Sequence, residues 1–147
     1  MEIKEAITDE EILECWKAVQ ALRPHVKQEE YLERVKKQQK EGYHLMYIKD
    51  KTSNQVESIN GWRTVNQLFC GKTLYVDDVS TTPEGRGKGY GGALLDWVKK
   101  YAKENGYETV ALDSGYTRNT AHRLYLNKGF DMTCHHFEIR NVQNLNI

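Results

Sequence analysis

The sequence predicts a mixed α/β fold, an α+β arrangement built on a mixed sheet, and three observations carry that expectation. One long stretch repeats apolar residues at helical spacing: Tyr90, Ala93, Leu94, Trp97, Val98, Tyr101 and Ala102. Short aromatic and β-branched runs, bounded by Gly, Asn and Asp, read as strands on either side of it. The elements follow one another as β-α-α-β-β-β-α-β-α-β, with no repeat and no Pro/Gly/Ser linker to divide the chain.

The chain has 147 residues, the size of one compact domain, and a single domain over residues 1–147 is the expectation. Lys and Arg number 21 and Asp and Glu number 21, so the formal net charge is zero. That balance argues against a nucleic-acid partner held by charge, for which a basic excess is expected. Hydrophobic content of 39% suffices for a core, and no apolar run approaches the roughly 18 residues of a membrane span. The opening Met-Glu-Ile-Lys-Glu has neither the basic start nor the apolar stretch of a secretory leader. A soluble, cytoplasmic chain without a membrane partner is therefore expected. Cys15, Cys70 and Cys134 are too widely spaced for a disulfide framework or a metal knuckle.

Taken in order, Glu2–Ile7 alternates and reads as a short edge strand. Thr8, with Glu11 three residues on, forms a capping-box pattern, and Ile7 is placed to staple onto Ile12. Ile12, Cys15, Trp16 and Val19 continue at helical spacing until Pro24. A second helix spans about residues 28–40, with Tyr31, Leu32 and Val35 on its stripe and Gly42 as its stop. Residues 43–49 read as a strand, residues 50–54 as a turn, and residues 55–67 as extended chain whose alternation falters near Gly61. Gly71-Lys72 turns the chain into a strand over residues 73–82. After the long helix, Asn105-Gly106 is a usual helix ending. A strand over residues 109–113, a helix over 120–128 and a last strand over 130–140 complete the order.

The most informative segment is the glycine-rich turn between a strand and the long helix, Pro83-Glu84-Gly85-Arg86-Gly87-Lys88-Gly89-Tyr90-Gly91-Gly92. Glycines there remove Cβ atoms where a ligand approaches the backbone. Free N–H groups at a helix start, together with the helix dipole, favour an anion such as a phosphate. The plain alternative is a tight turn that merely needs glycine. A Walker loop fails, because Gly71-Lys72-Thr73 lacks the earlier glycine and leads into a strand. Gly87-x-Gly89-x-x-Gly92 fits the dinucleotide fingerprint literally, with Asp113 about where a ribose-binding acid sits. Its context disagrees: the polar stretch Thr81 to Arg86 separates strand from glycines, whereas that motif turns at once.

A third reading starts from Arg86-Gly87-Lys88-Gly89-Tyr90-Gly91, an R-x-x-G-x-G pattern preceded by Pro83 and followed by Gly92-Ala93-Leu94-Leu95. It resembles the acyl-CoA pyrophosphate loop of the GNAT superfamily of N-acyltransferases. Ala121-His122-Arg123-Leu124-Tyr125-Leu126-Asn127-Lys128-Gly129-Phe130 resembles that superfamily's A-x-x-(F/L)-Y-x-x-x-G-F segment. The element order agrees over essentially the whole chain. In addition, the stretch Gly71 to Asp78 is similar to the corresponding strand of spermidine/spermine N-acetyltransferases.

The resemblance implies a GNAT-like fold and an enzyme that transfers an acetyl group from acetyl-CoA, as co-substrate, to a primary amine of a small molecule or peptide. The amine attacks directly. By the same resemblance, Gly87, Lys88, Gly89, Tyr90 and Gly91 cradle the pyrophosphate and Arg86 adds charge. Counting back along the strand, Val79 offers an N–H to the thioester oxygen and Thr81 contacts the pantetheine arm. Tyr125 is the expected acid for the departing thiolate, since a tyrosine keeps its proton at neutral pH. Spacing alone would read it as a core aromatic. Asp77 stands where the spermidine/spermine enzymes have a basic Glu, and its shorter side chain suggests a bridging water. Strand alternation puts Asp78 on the opposite face from Asp77. A solvated pair of structural acids is an equally good reading of both. The family's pantetheine-contacting Asn falls at Arg118, with Asn119 one place on, and either is a candidate cofactor contact.

Cys134-His135-His136 invites a metal, but neighbours on a strand point to opposite faces, and no metal is expected. Trp16 and Trp62 are candidates for a pocket wall, though such residues are more often core. Residues 36–40 read as a solvated helix face. An NAD(P)-binding oxidoreductase and a non-catalytic CoA-binding regulatory module stand as alternatives. A small amine is the expected partner, and a homodimer is compatible with the resemblance.

Overall fold

The computed structural model describes residues 1–147, which form two compact units, Met1–Leu112 and Asp113–Ile147. The first unit holds a five-stranded sheet of β1 (Lys4–Glu5), β2 (His44–Lys49), β3 (Val56–Gln67), β4 (Gly71–Thr81) and β5 (Thr109–Leu112), neighbours in that order. All pairs are antiparallel except β4–β5. The parallel pair is joined by the long helix, because parallel strands need a crossover.

Each face of the sheet carries its own apolar cluster. On one face α1 (Asp9–Glu14), α2 (Trp16–Leu22) and α3 (Gln28–Lys40) pack Ile12, Cys15, Ala18, Tyr31 and Val35 against Leu45, Tyr47, Val56 and Ile59. On the other, α4 (Tyr90–Glu104) packs Tyr90, Leu94, Val98 and Ala102 against Met46, Ile48, Trp62, Leu74 and Val76. The repeat read for α4 is thus the stripe it buries. Burying side chains such as Leu94 and Val98 contributes on the order of 1.5–3 kcal/mol each.

The capping box at Thr8 forms in both directions, with the Glu11 N–H donating to the Thr8 hydroxyl and the Thr8 N–H donating to Glu11. The hydrophobic staple does not form, since Ile7 remains 71% exposed. The first helical stretch breaks at Cys15, where the N–H bonds Ile12, three residues back, so three helices precede β2 where two were expected. The second helix spans Gln28–Lys40, as read.

Two register shifts interrupt the sheet. Lys49 pairs Val56 while Ile48 pairs Ser58, leaving Glu57 as an extra residue in β3. Gly61 pairs Asp78 while Trp62 pairs Val76, leaving Asp77 as an extra residue in β4.

The second unit contains α5 (Asn119–Asn127), ended by Gly129 at φ +88°, and a 3-10 turn at Val142–Asn144. The strand expected over residues 130–140 is absent. Met132, Phe137 and Ile139 are exposed there, and a strand exists only where a ladder partner satisfies its backbone.

Candidate active site

The glycine-rich turn leaves the end of β4 through a 3-10 turn, Pro83–Gly85, whose start is capped by the Thr82 hydroxyl accepting the Gly85 N–H at 3.1 Å. Thr82 is fully buried, and its hydroxyl donates to Glu57. Gly85 lies so close to β3 that an added Cβ would fall 2.8 Å from the Glu57 Cβ. This anchored turn fixes where Arg86, Gly87, Lys88 and Gly89 emerge, all four exposed.

Gly87 and Gly89 adopt φ of +77° and +81°, the left-handed region that only glycine enters without strain. A Cβ at either would meet nothing within 4 Å, so the space beside the loop is open. Gly89 is the N-cap of α4. No side chain caps that helix and no acid lies in its first turn, in contrast to α1. The first-turn N–H groups, those of Tyr90 and Gly91 among them, therefore present the positive end of a fifteen-residue helix without a protein acceptor. These residues fit a diphosphate.

The strand leading into the loop runs on past the end of its parallel neighbour. Pairing with β5 runs from Thr73–Thr109 to Val76–Leu112, where β5 ends, and β4 continues to Thr81 paired with β3 only. Val79 and Thr81 lie on this extension of β4 beyond the parallel pairing. Val79 packs against the α4 cluster, and the Thr81 hydroxyl shares a 2.8 Å hydrogen bond with Ser58. Opposite Val79 in β3 stands Asn60, fully buried, with its side-chain oxygen unpartnered.

The extra residue at Asp77 overturns the expected alternation. Asp77 was expected to share a face with Val79, with Asp78 opposite. Instead, both carboxylates engage groups on the α1–α3 side, while Val79 falls in with Leu74 and Val76 toward α4. Asp78 accepts the Tyr43 hydroxyl at 2.7 Å and the Arg23 Nε at 3.0 Å. Asp77 accepts Arg63 through Nε at 3.0 Å and Nη2 at 2.6 Å, and the same Nη2 donates to Gln38 of α3 at 3.0 Å. Arg23 also reaches the Asp77 backbone carbonyl at 3.0 Å. The Asp77 side chain is held chiefly by its ion pair, which in turn raises the Arg63 pKa.

Sequence reasoning missed the residues that hold these acids. Arg63 pairs with Tyr75 across the β3–β4 hairpin and so stands diagonal to Asp77, a placement the hairpin turn at residues 68–70 would have yielded. Tyr43 and Arg23 carried no comparable signal. Asp50 was read only as turn chemistry, yet it bonds both Lys88 and Tyr90.

In the second unit, Arg118 is the exposed N-cap of α5 and Asn119 its first residue; Thr117 to Ala121 line an open depression of about 440 Å³. Tyr125 sits in the last turns of α5, half-buried, with its ring edge-on to Phe130 at 6.1 Å. His136 of the same unit is within ion-pair distance of Asp113 and Glu138. No group of three or more His, Cys, Asp and Glu side chains is placed to hold a metal ion. Trp62 is 2% exposed and stacks on His44 at 4.2 Å, so it is a core residue and no pocket wall. Trp16 packs against Tyr31 at 4.9 Å.

A sheet with one parallel pair is not the doubly wound parallel sheet that a dinucleotide site requires, and this removes the NAD(P) reading. What stands is a mixed α/β sheet in which β4 runs on past its parallel partner and leads into a glycine-rich helix start, an arrangement suited to an acyl-CoA. Residues 9–130, across both units, match the model of the acetyltransferase (GNAT) family, and the chain belongs to that family. It is 33% identical over 137 residues to YhdJ of Bacillus subtilis, described as an uncharacterised N-acetyltransferase, covering 92% of this chain and 95% of that one. A shorter stretch of 55 residues is 33% identical to the aminoalkylphosphonate N-acetyltransferase of Salmonella typhimurium, 37% of this chain and 36% of that one. The fold matches a ribosomal-protein-alanine N-acetyltransferase from Brucella melitensis with a TM-score of 0.78 at 15% identity, covering 95% and 99% of the two chains. The protein is thus a GNAT N-acetyltransferase, an acyltransferase for which the family implies acetyl-CoA as co-substrate and an amine as acceptor. No helix is long and apolar enough to cross a membrane.

Proposed function

We propose that the chain acetylates a primary amine of a small molecule or peptide by direct attack on acetyl-CoA, and works in the cytoplasm as one domain over residues 1–147. The observation that carries the reading is the uncapped start of α4 behind two left-handed, open glycines, after a strand that runs on past its parallel partner. The family match running from residue 9 to 130 supports treating the two units as one domain, and the three free cysteines suit a reducing compartment.

Acetyl-CoA supplies an acyl group activated as a thioester. Backbone N–H groups from Gly87 to Gly91 hold its diphosphate, with Arg86 adding charge. The Val79 N–H donates to the carbonyl oxygen as negative charge develops on it, and Thr81 holds the pantetheine arm with Arg118 or Asn119. Asp77, held by Arg63, takes the proton of the attacking amine, directly or through a water. Tyr125 gives its proton to the departing thiolate.

The test is a screen of amine acceptors with acetyl-CoA that follows thiol release, paired with thermal denaturation. Acetyl-CoA should raise the Tm of the wild type, since a ligand bound only to the folded state stabilises it. Gly89→Glu sets a charged side chain in the open space beside the loop, and the shift should vanish. A folded Gly89→Glu protein with an undiminished shift would remove the cradle from the loop.

A further inference from the structure

We propose that Asp50 is a positioning residue for the diphosphate loop, a proposal that rests on the cradle reading above. Asp50 follows β2 directly, at the start of a tight turn, and is 6% exposed. Its carboxylate accepts the N–H groups of Thr52 at 2.8 Å and Ser53 at 3.0 Å, which lock it to its own turn. The second oxygen accepts Lys88 Nζ at 2.8 Å and the Tyr90 hydroxyl at 2.6 Å. Lys88 and Tyr90 are the two neighbours of Gly89, so one carboxylate holds the side chains on both sides of the left-handed N-cap.

Glycine loops lose more conformational freedom on ordering than other segments, and a ligand that must order such a loop binds more weakly. Tying both flanks of Gly89 to a rigid hairpin turn removes that cost before the ligand arrives. Bonds to a charged group are the stronger kind, which suits the task. The pairing also assigns the loop's charge. Lys88 is neutralised by Asp50, while Arg86 is exposed and makes no ion pair, so Arg86 is the cation left for the diphosphate.

The experiment titrates wild type and Asp50→Asn with acetyl-CoA and with S-acetylpantetheine, which keeps the thioester arm and lacks the diphosphate. Asp50→Asn should raise the Kd for acetyl-CoA about tenfold, the order expected for one lost charge-assisted bond, and leave that for S-acetylpantetheine unchanged. Lys88→Met and Tyr90→Phe, each removing one tie, should show the same selectivity at smaller size, and they carry the test if Asp50→Asn does not fold. Combined with Asp50→Asn, Lys88→Met should add little. Equal losses for both ligands, or no loss for either, would make Asp50 a structural residue and overturn the proposal. A wild type that binds neither ligand is a separate failure, that of the cradle itself.

Discussion

Tyr43 reaches across β3 to donate a 2.7 Å hydrogen bond to Asp78, and it crosses at Gly61, the residue paired with Asp78 in the sheet. A Cβ at Gly61 would lie 1.9 Å from the Tyr43 hydroxyl oxygen and 2.4 Å from its ring carbons. The glycine that spoils the alternation of β3 is therefore the gap through which an aromatic side chain reaches the acid pair. Burial first, and the Asp78 charge next, push the Tyr43 pKa well above its ordinary value, so the hydroxyl stays a donor.

Gly61→Ala should force the Tyr43 ring off its seat. The ring is buried and flanked by the Arg63 guanidinium at 5.5 Å, so it has little room to yield. An overpacking loss of about 1–3 kcal/mol is expected in chemical denaturation. Tyr43→Phe should cost less in the Gly61→Ala background than alone, because the hydrogen bond is already gone. Additive losses would show that Gly61 and Tyr43 act independently.

Asp77→Asn should lower turnover more at neutral pH than at high pH, where the amine acceptor is already unprotonated. With both acids on the same side of the sheet, orientation no longer sets Asp78 aside, and the pH profile is what separates them. Asp78→Asn should lower activity by a factor that does not change with pH, because Asp78 holds Tyr43 and Arg23 in place. A pH-dependent defect in Asp78→Asn and a flat one in Asp77→Asn would exchange their roles.

Tyr125→Phe keeps the ring and its edge-on packing against Phe130 while removing the hydroxyl. If Tyr125 protonates the thiolate, kcat should fall about 10²-fold, the low end for general acid catalysis, because a thiolate leaves fairly readily. Acetyl-CoA affinity should hold. A wild-type rate with the cognate amine, when chemistry limits, would leave Tyr125 only its packing against Phe130.

The Asp50 clamp sets a pH window for stability. Hydrogen bonds from Lys88, then Tyr90, hold the Asp50 pKa well below the carboxylate range, and the bond to Asp50 raises that of Lys88. A lowered acid stabilises the fold above its unfolded pKa and loses that effect as pH falls through its folded value; a raised lysine does so below its unfolded pKa and loses it as pH rises. Glu57 is the other acid that acts on Lys88 and Tyr90, and it is common to both proteins compared. The Tm difference between wild type and Asp50→Asn should be level from about pH 5 to pH 9 and shrink below about pH 4. A difference that grows on acidification would contradict the charge pairing.

Local patterns were readable in the sequence to the extent that their causes were local. The box at Thr8, the helix over Gln28–Lys40 and the stripe of α4 depend on neighbours within a turn or two, and all three formed. The glycine loop was readable because glycine there answers a backbone demand. The face of Asp77 was misread because alternation holds only in an unbroken ladder, and the shift between Gly61 and Trp62 is a property of two strands together. The clamp at Asp50 joins residues 38 and 40 positions apart, beyond what spacing can signal. The strand over residues 130–140 failed for the opposite reason, a local pattern without a partner.

The extra residue in β4 works like a half-step in a screw thread. Upstream of it, Leu74 and Val76 set the phase of the sheet; downstream, Val79 and Thr81 are read in the other phase, and the exit direction of the chain into Pro83–Gly85 follows from that shift. Deleting one residue at positions 77–78 would therefore leave a strand of good composition that pairs smoothly with β3 and delivers the glycine loop half a turn out of place. Length in this one strand is under tighter constraint than composition, and natural variants should accept substitutions along it, outside Asp77 and Asp78, more readily than insertions or deletions.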